Sequence, residues 1–241
     1  MSAVAREDAD LETSSDEYAR RFGGPVGAWF LEVQARATLD LLRPWPRGTV
    51  LDVGGGHGQL TGPLVESGFD VTVYASDARC SGRVRAWTAG GGARFAAGDL
   101  LAAPFPDRSF DVALAYRLLP HVGRWPELIG ELARLARFAV VVDYPTARSV
   151  NAVSGALFRL KKGVEGDTRP FTVFRDAVVE KAFAERGFVP TGRRPQFVLP
   201  MALHRAGRSA RLARALEGAL GALGLVRVLG SPVILRLERR G

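Results

Sequence analysis

A glycine-rich turn near residue 54 is the strongest chemical signal in the sequence. An apolar run at residues 49–53 contains Asp52, and Gly54, Gly56 and Gly58 follow it at alternate positions. Glycine accepts positive φ and has no Cβ, so a ligand can lie directly against the backbone of such a turn. The helix predicted after the turn would direct its N-terminal amides and the positive end of its dipole toward that ligand.

The spacing of these glycines separates two classes of cofactor. The dinucleotide-binding fingerprint needs glycine at the first, third and sixth positions, but the sixth position counted from Gly54 is Gln59. A carboxylate at Asp52 would also repel a pyrophosphate, whereas it would attract an ammonium group such as that of a methionine moiety. The turn therefore disfavours an NAD-binding dehydrogenase.

Four segments in residues 48–143 together resemble the class I methyltransferases that use S-adenosylmethionine (SAM). Asp52 with the three alternate glycines matches the first motif of the family, and residues 98–100 match the segment whose acid faces the adenine amino group. Residues 104–112 look like the family's approach to the fourth strand, and residues 118–122 stand where the family has a hydrophobic segment with a histidine. The resemblance implies SAM as cofactor, S-adenosylhomocysteine (SAH) as product and a small-molecule methyl acceptor.

The resemblance also implies a set of cofactor-binding residues. They are Asp52, Gly54, Gly56, Gly58, Ser76, Asp77, Asp99, Leu100, Tyr116 and Arg117. One departure concerns the acid that ends the second strand in the family and holds both ribose hydroxyls, because Ala75 stands there. Either Asp77 binds the ribose or Ser76 and backbone groups do, and Asp77 is equally suited to cap a helix.

Two other cofactor assignments have alternatives. Asp99 contacts the adenine or merely caps a loop. Arg117 pairs with the SAM carboxylate or forms a surface ion pair.

Methyl transfer to an oxygen usually needs a base, and histidine has a suitable pKa. His121, in the hydrophobic segment after the fourth strand, is the first candidate, although a histidine there can also be structural. His204 is a second candidate, and Tyr144 ends the fifth strand at the same crevice. For the acceptor we predict contacts with an aromatic and cationic set, which suits an aromatic or lipid-like acid: Tyr18, Phe158, Arg169, Phe171 and Met201.

Alternating strands and helices must position these residues. Apolar runs predict strands at 49–53, 70–75, 93–97, 110–116, 138–143, 196–203 and 232–239. Helical patterns lie at 18–42, 58–67, 79–89, 123–137, 150–161, 173–186 and 207–223. This rhythm predicts an α/β fold: a Rossmann-like, doubly wound, mostly parallel sheet of seven strands, with N-terminal helices and helical insertions forming a substrate cap.

The predicted organisation is one domain preceded by a tail. Residues 1–16 are acidic and read as a disordered tail, and residues 17–241 form the domain. Within the domain, residues 17–45 form a helical lid, residues 48–143 the SAM-binding core, and residues 145–172 and 204–224 the cap.

Composition narrows the remaining alternatives. The net charge of +8 is carried almost entirely by scattered arginines, which favours a charged surface over a nucleic-acid site. A nucleic-acid methyltransferase and a non-catalytic SAM-binding protein remain as alternatives. The single cysteine, Cys80, predicts a packed thiol, and no metal site is expected. The chain shows no apolar run of membrane-spanning length and no secretory signal, so we expect a cytoplasmic monomer or homodimer.

Overall fold

A seven-stranded sheet organises the residues described by the computed structural model, which are 6–149 and 171–241. Its strands are β1 (Thr49–Val53), β2 (Asp70–Ala75), β3 (Ala93–Ala97), β4 (Phe110–Ala115), β5 (Ala136–Tyr144), β6 (Phe188–Phe197) and β7 (Ser231–Arg239). The strand order is β3-β2-β1-β4-β5-β7-β6. The first five strands are parallel, and β7 runs antiparallel to both of its neighbours. The predicted Rossmann-like fold with a mostly parallel sheet is therefore confirmed.

Helices cover both faces of this sheet. They are α1 (Ala9–Thr13), α2 (Asp16–Arg20), α3 (Gly24–Leu42), α4 (Thr61–Glu66), α5 (Arg85–Ala89), α6 (Trp125–Leu135), α7 (Asp176–Ala184), α8 (Met201–Ala206), α9 (Ala210–Ala222) and α10 (Leu225–Leu229). Short 3-10 helices occupy Gly55–His57, Ala78–Arg83 and Leu119–His121. One apolar core lies between the sheet and α6–α7, and a second lies between the sheet and α3–α4. Among the described helices, none is both long and apolar enough to cross a membrane.

The strand order reverses between β1 and β4, and this reversal positions the site. Strands β2 and β3 follow β1 on one side, whereas β4 and β5 lie on the other. In open α/β sheets the crevice at the carboxyl ends of strands beside such a reversal is where ligands bind. The glycine turn after β1 and residues 116–121 after β4 flank that crevice.

Two sequence predictions are wrong within the described residues. The strand expected at 196–203 is β6 at Phe188–Phe197, and Met201 instead begins a helix. The tail expected to be disordered over 1–16 contains α1, in which Asp10 and Thr13 are buried. Burial of charged and polar residues against the rest of the fold is a tertiary effect that local composition does not show. The helix expected at 150–161 lies outside the described residues.

Candidate functional site

The glycine turn is packed too closely for side chains at several positions. Gly54 and Gly58 have φ of +74° and +69°, in the left-handed region that favours glycine. A Cβ at Gly54 would lie 2.9 Å from a methyl carbon of Leu118, and one at Gly55 would collide with the Asp52 carboxylate. A Cβ at Gly56 would lie 2.6 Å from both Ser14 Oγ and Cys80 Cβ. The turn therefore lies against the Asp52 carboxylate, with the chain segment after α1 close to Gly56.

Asp52 is a buried acid without a partner. Its side chain is fully buried under the turn, and neither carboxylate oxygen has a hydrogen-bond partner among the described residues. Burial raises the pKa of Asp52 to about 7, and the nearby charge of Asp143 adds to the effect. Because a buried polar group without a partner costs free energy, this carboxylate is suited to receive a cationic donor.

Arg117 brings a positive charge to the other side of the crevice. It has φ of +54°, and its backbone N–H donates to Asp143 Oδ1 at 2.6 Å. Its guanidinium donates to the side-chain oxygens of Gln59 and Gln34 at 2.7 and 2.6 Å. Its described hydrogen-bond partners are thus neutral, and no carboxylate of the described residues forms a salt bridge with it. The expected alternative of a surface ion pair is not what this geometry shows.

Two N-terminal helices, α1 and α2, and the residues that follow them pack against this part of the site. The Tyr18 hydroxyl of α2 lies 3.4 Å from Arg117 Nη1, and the Phe22 ring packs 4.2 Å from the Arg117 guanidinium carbon. Arg83, after β2, donates to the Ser14 carbonyl and forms an ion pair with Asp16. Tyr18 is therefore buried against a predicted cofactor residue.

Asp77, after β2, and Asp99, after β3, differ in burial and in hydrogen-bond partners. Asp77 is at the surface, where its carboxylate accepts from the Arg79 backbone and pairs with the Arg79 guanidinium, which lowers the pKa of Asp77. It therefore has the helix-capping role. Asp99 is part-buried and its Oδ1 accepts from Leu101 N at 2.9 Å, while Leu100 is fully buried. Asp99 thus caps its loop and keeps one carboxylate oxygen outside that bond.

Tyr116 turns its side chain away from the crevice. Its hydroxyl forms a 2.7 Å hydrogen bond with Thr38 Oγ1 of α3, and burial raises the pKa of Tyr116 well above its ordinary value. Its ring belongs to the apolar core between the sheet and α3–α4. Only its backbone is placed to meet the cofactor.

The three candidate catalytic residues are not brought together. His121 lies in the 3-10 turn after β4, with its ring 5.4 Å from that of Phe171, a side chain that is 44% exposed. Tyr144 is buried at the end of β5, and burial together with nearby Asp176 raises the pKa of its phenol far above the usual range.

His204 lies in a separate aromatic cluster. Its Nε2 is 2.9 Å from Glu217 Oε1, and both side chains are buried. The Glu217 carboxylate also accepts the N–H groups of Val198 and Leu199. The Trp29 ring packs edge-on against the His204 ring and belongs to the same cluster. The geometry gives His204 a structural role instead of the predicted catalytic one. Met201 packs at the edge of the same cluster, and Phe158 and Arg169 lie outside the described residues.

One buried residue at the site was missed by sequence reasoning. Asp10 of α1 is 1% exposed, and its Oδ2 accepts from the Ser76 backbone N–H at 2.8 Å. The sequence did contain one indication of such a residue. Because Ala75 stands where the family has an acid, no residue at the end of the second strand could be assigned to the ribose hydroxyls. The acidic composition of the N-terminal residues pointed instead to disorder.

Comparison with known proteins identifies the domain. Residues 51–138 match the family model described as "Methyltransferase domain". The structure resembles a magnesium protoporphyrin IX methyltransferase of Synechocystis PCC 6803 solved with bound SAH, with a TM-score of 0.66 and 16% identity over 97% of this chain and 100% of that one. It also resembles a SAM-dependent methyltransferase of Thermotoga maritima, with a TM-score of 0.62 and 15% identity over 96% and 98% of the two chains. No curated protein matches the sequence. At such identities the structural likeness shows the fold alone, and the family match indicates a methyltransferase domain over residues 51–138.

The residues at the crevice fit this cofactor. The methionine end of SAM is a zwitterion. Within the described ranges, the crevice offers a buried carboxylate without a hydrogen-bond partner at Asp52 and a guanidinium without an ion pair at Arg117. The glycine turn between them leaves backbone groups free of side chains. SAM is therefore the cofactor for which this charge pattern is suited.

Proposed function

Proceeding from a SAM-dependent methyltransferase domain at residues 51–138, we propose that the protein methylates an oxygen of a small aromatic, quinol-like or carboxylate-bearing molecule. The observation that carries this proposal is the pairing of His121 with the exposed ring of Phe171 beside the crevice. Such a pair combines a titratable base with an apolar surface on which a planar acceptor can rest.

The backbone holds this pair in place. Thr172 N donates to the Pro120 carbonyl at 2.8 Å, so the chain next to Phe171 is tied to the turn that carries His121. Phe174 N donates to the Pro145 carbonyl at 2.9 Å, which ties the same segment to the end of β5. The two rings are therefore fixed relative to the carboxyl ends of β4 and β5.

The proposed mechanism assigns one task to each residue. Bound SAM supplies a methyl group that its sulfonium already activates. Asp52 and Arg117 would hold the amino and carboxylate ends of the methionine moiety and so align the cofactor. His121 would accept the proton of the acceptor hydroxyl that receives the methyl group. The raised pKa of Tyr144 keeps its phenol protonated, so it can donate a hydrogen bond but cannot act as the base.

The surface charge does not favour a nucleic-acid substrate. Many arginines are paired with carboxylates on their own surface, as in Arg36–Glu32, Arg43–Asp40, Arg94–Asp70, Arg134–Asp107 and Arg214–Glu32. A guanidinium paired in this way has less charge to offer to phosphates. We therefore propose a small-molecule acceptor.

The test is a screen of phenols, quinols and carboxylic acids with the purified protein and SAM, in which SAH formation is quantified by mass spectrometry. We expect His121→Asn to lower kcat by about 10²- to 10⁴-fold, the usual contribution of a general base. SAH affinity measured by calorimetry should stay the same in this variant. An unchanged kcat would exclude His121 as the base, and steeply salt-dependent methylation of a polynucleotide would replace the proposed substrate class.

A further inference from the structure

The carboxylate of Asp10 lies where the chain lacks an expected acid. Asp10 comes from α1, which precedes the predicted lid, and its Oδ2 accepts the N–H of Ser76, the residue directly after β2. Ala75, the last residue of β2, has only a methyl group and is fully buried. A carboxylate from a different element therefore stands next to the position at which the methyltransferase resemblance expects one.

The neighbours of Asp10 place it along the path of the cofactor. Cys80 Sγ lies 3.9 Å from Asp10 Oδ2, and Cys80 Cβ is one of the atoms that a side chain at Gly56 would meet. β2 pairs in parallel with β3 through Ala75 and Ala97, so Asp99 follows the neighbouring strand end. Asp10 thus lies near the end of β2, between the glycine turn after β1 and Asp99 after β3.

The carboxylate is incompletely satisfied. In the part of the chain that the structure describes, its second oxygen, Oδ1, is buried without a hydrogen-bond partner, and the buried Ser76 hydroxyl beside it makes no hydrogen bond of normal geometry. Burial raises the pKa of Asp10, while hydrogen bonding by Ser76 opposes that rise. A group in this state is stabilised by a neighbour that donates hydrogen bonds. The vicinal hydroxyls of a ribose are such donors.

We propose that Asp10 binds the ribose hydroxyls of SAM and replaces the acid that is missing at Ala75. This inference rests on the SAM site described above and does not depend on which acceptor is methylated. It makes α1 part of the cofactor site, so the N-terminal segment and the core contact the same ligand. It also gives Asp77 no cofactor contact, in agreement with its pairing with Arg79 at the surface.

The experiment is calorimetric titration of the full chain with SAH and with its 2′-deoxyribose analogue. Asp10→Asn keeps the shape of the side chain and removes its charge. We expect it to weaken SAH binding by about 10- to 100-fold, the usual effect of losing charge-assisted hydrogen bonds. The wild type should bind the deoxy analogue more weakly than SAH, and the loss on removing the hydroxyl should be much smaller in Asp10→Asn.

Two further variants separate ribose binding from structural effects. Asp8→Asn removes an exposed carboxylate from the same segment and should leave SAH affinity unchanged. Ala75→Asp combined with Asp10→Asn returns the acid to the end of β2 and should restore most of the affinity, which a merely structural role of Asp10 would not allow. Circular dichroism confirms that each variant is folded.

Opposite results have distinct meanings. If Asp10→Asn binds SAH as tightly as the wild type, or more tightly, Asp10 is a contact that the cofactor displaces and the proposal is overturned. Equal losses for SAH and the deoxy analogue would also overturn it. A wild type that does not bind SAH at all would refute the SAM site itself, whereas normal SAH binding without methyl transfer to the screened acceptors would count only against the proposed substrate class.

Discussion

The raised pKa of Asp52 predicts how cofactor binding depends on pH. In the free protein, burial raises this pKa to about 7, so Asp52 is largely protonated below pH 7. Its proposed ligand, the ammonium of the methionine moiety, pairs with the ionised form. Binding at acidic pH must therefore remove a proton from Asp52, and SAH affinity falls as the pH drops below 7.

The size of the effect follows from the position of the pKa. With a pKa of about 7, roughly one Asp52 in ten is ionised at pH 6 and one in a hundred at pH 5. The dissociation constant of SAH should consequently rise about tenfold at pH 6 and about 100-fold at pH 5, relative to its value near pH 7.5. Calorimetric titrations at half-unit steps from pH 5 to pH 7.5, at constant ionic strength, measure this slope directly.

Other titratable groups face Asp52 and must be distinguished from it. His57 does not titrate in this range, because burial and the charge of Arg117 lower its pKa to about 3. Burial also raises the pKa of Asp143, so protonation of Asp143 could equally cause a fall in SAH affinity at acidic pH. Asp52→Asn separates the two. Its affinity should be lower at pH 7.5 and nearly independent of pH down to 5.

Two results would contradict this reasoning. A flat profile for the wild type would show that Asp52 does not pair with the ammonium, or that its pKa is not raised. An unchanged acid slope in Asp52→Asn would assign the titration to another group.

Three other perturbations test the site and its surroundings. Asp52→Asn should raise the free energy of unfolding at pH 8 by up to about 4 kcal/mol, because burial moves the pKa of Asp52 from 3.8 to about 7, and this gain should shrink toward pH 4. Urea unfolding at both pH values measures the gain. Equal stability of the variant and the wild type at pH 8 would show that burying the Asp52 charge has no cost. Gly55→Ala should abolish SAH binding, because its Cβ would collide with the Asp52 carboxylate, and calorimetry on the folded variant would show it. Glu217→Gln should lower the free energy of unfolding by about 1–3 kcal/mol, because it weakens the hydrogen bonds to His204 and to two backbone amides, and thermal unfolding measures this loss. The kcat should stay unchanged. A large loss of kcat would make His204 a catalytic candidate again.

The core strands could be predicted from the sequence because burial on both faces leaves a continuous apolar signature. β1 and β2 are buried at almost every position, and both begin and end at the predicted residues. β6 is an edge strand that pairs only with β7, and most of its residues are part-exposed or exposed, so it lacks this continuous apolar signature. An edge strand tolerates proline and charge, and β6 contains Pro190 and Pro195. The apolar residues that follow it, within 196–203, resemble a strand more closely, so the strand was predicted there.

Site residues that are close together in the sequence could be predicted, whereas those brought together from distant segments could not. Asp52 and the glycines are close in sequence, so their spacing could be compared with a known motif. Asp10 reaches the end of β2 across 66 residues, and no local pattern encodes that contact. Asp77 was a candidate for the ribose, beside Ser76 and backbone groups, because of its proximity in sequence, but it caps a short 3-10 helix and pairs with Arg79.

The unpaired charges of the site imply a link between cofactor binding and stability. The fold buries Asp52 without a partner, leaves one oxygen of Asp10 unsatisfied and gives the Arg117 guanidinium neutral partners. Each of these groups costs free energy in the free protein, and each has a complementary group on SAM: the ammonium, the ribose hydroxyls and the carboxylate. Binding therefore removes destabilising features as well as adding contacts. Because Asp52 lies in β1 and Arg117 follows β4, whereas Asp10 belongs to α1, the same ligand should stabilise the sheet and hold α1 against it.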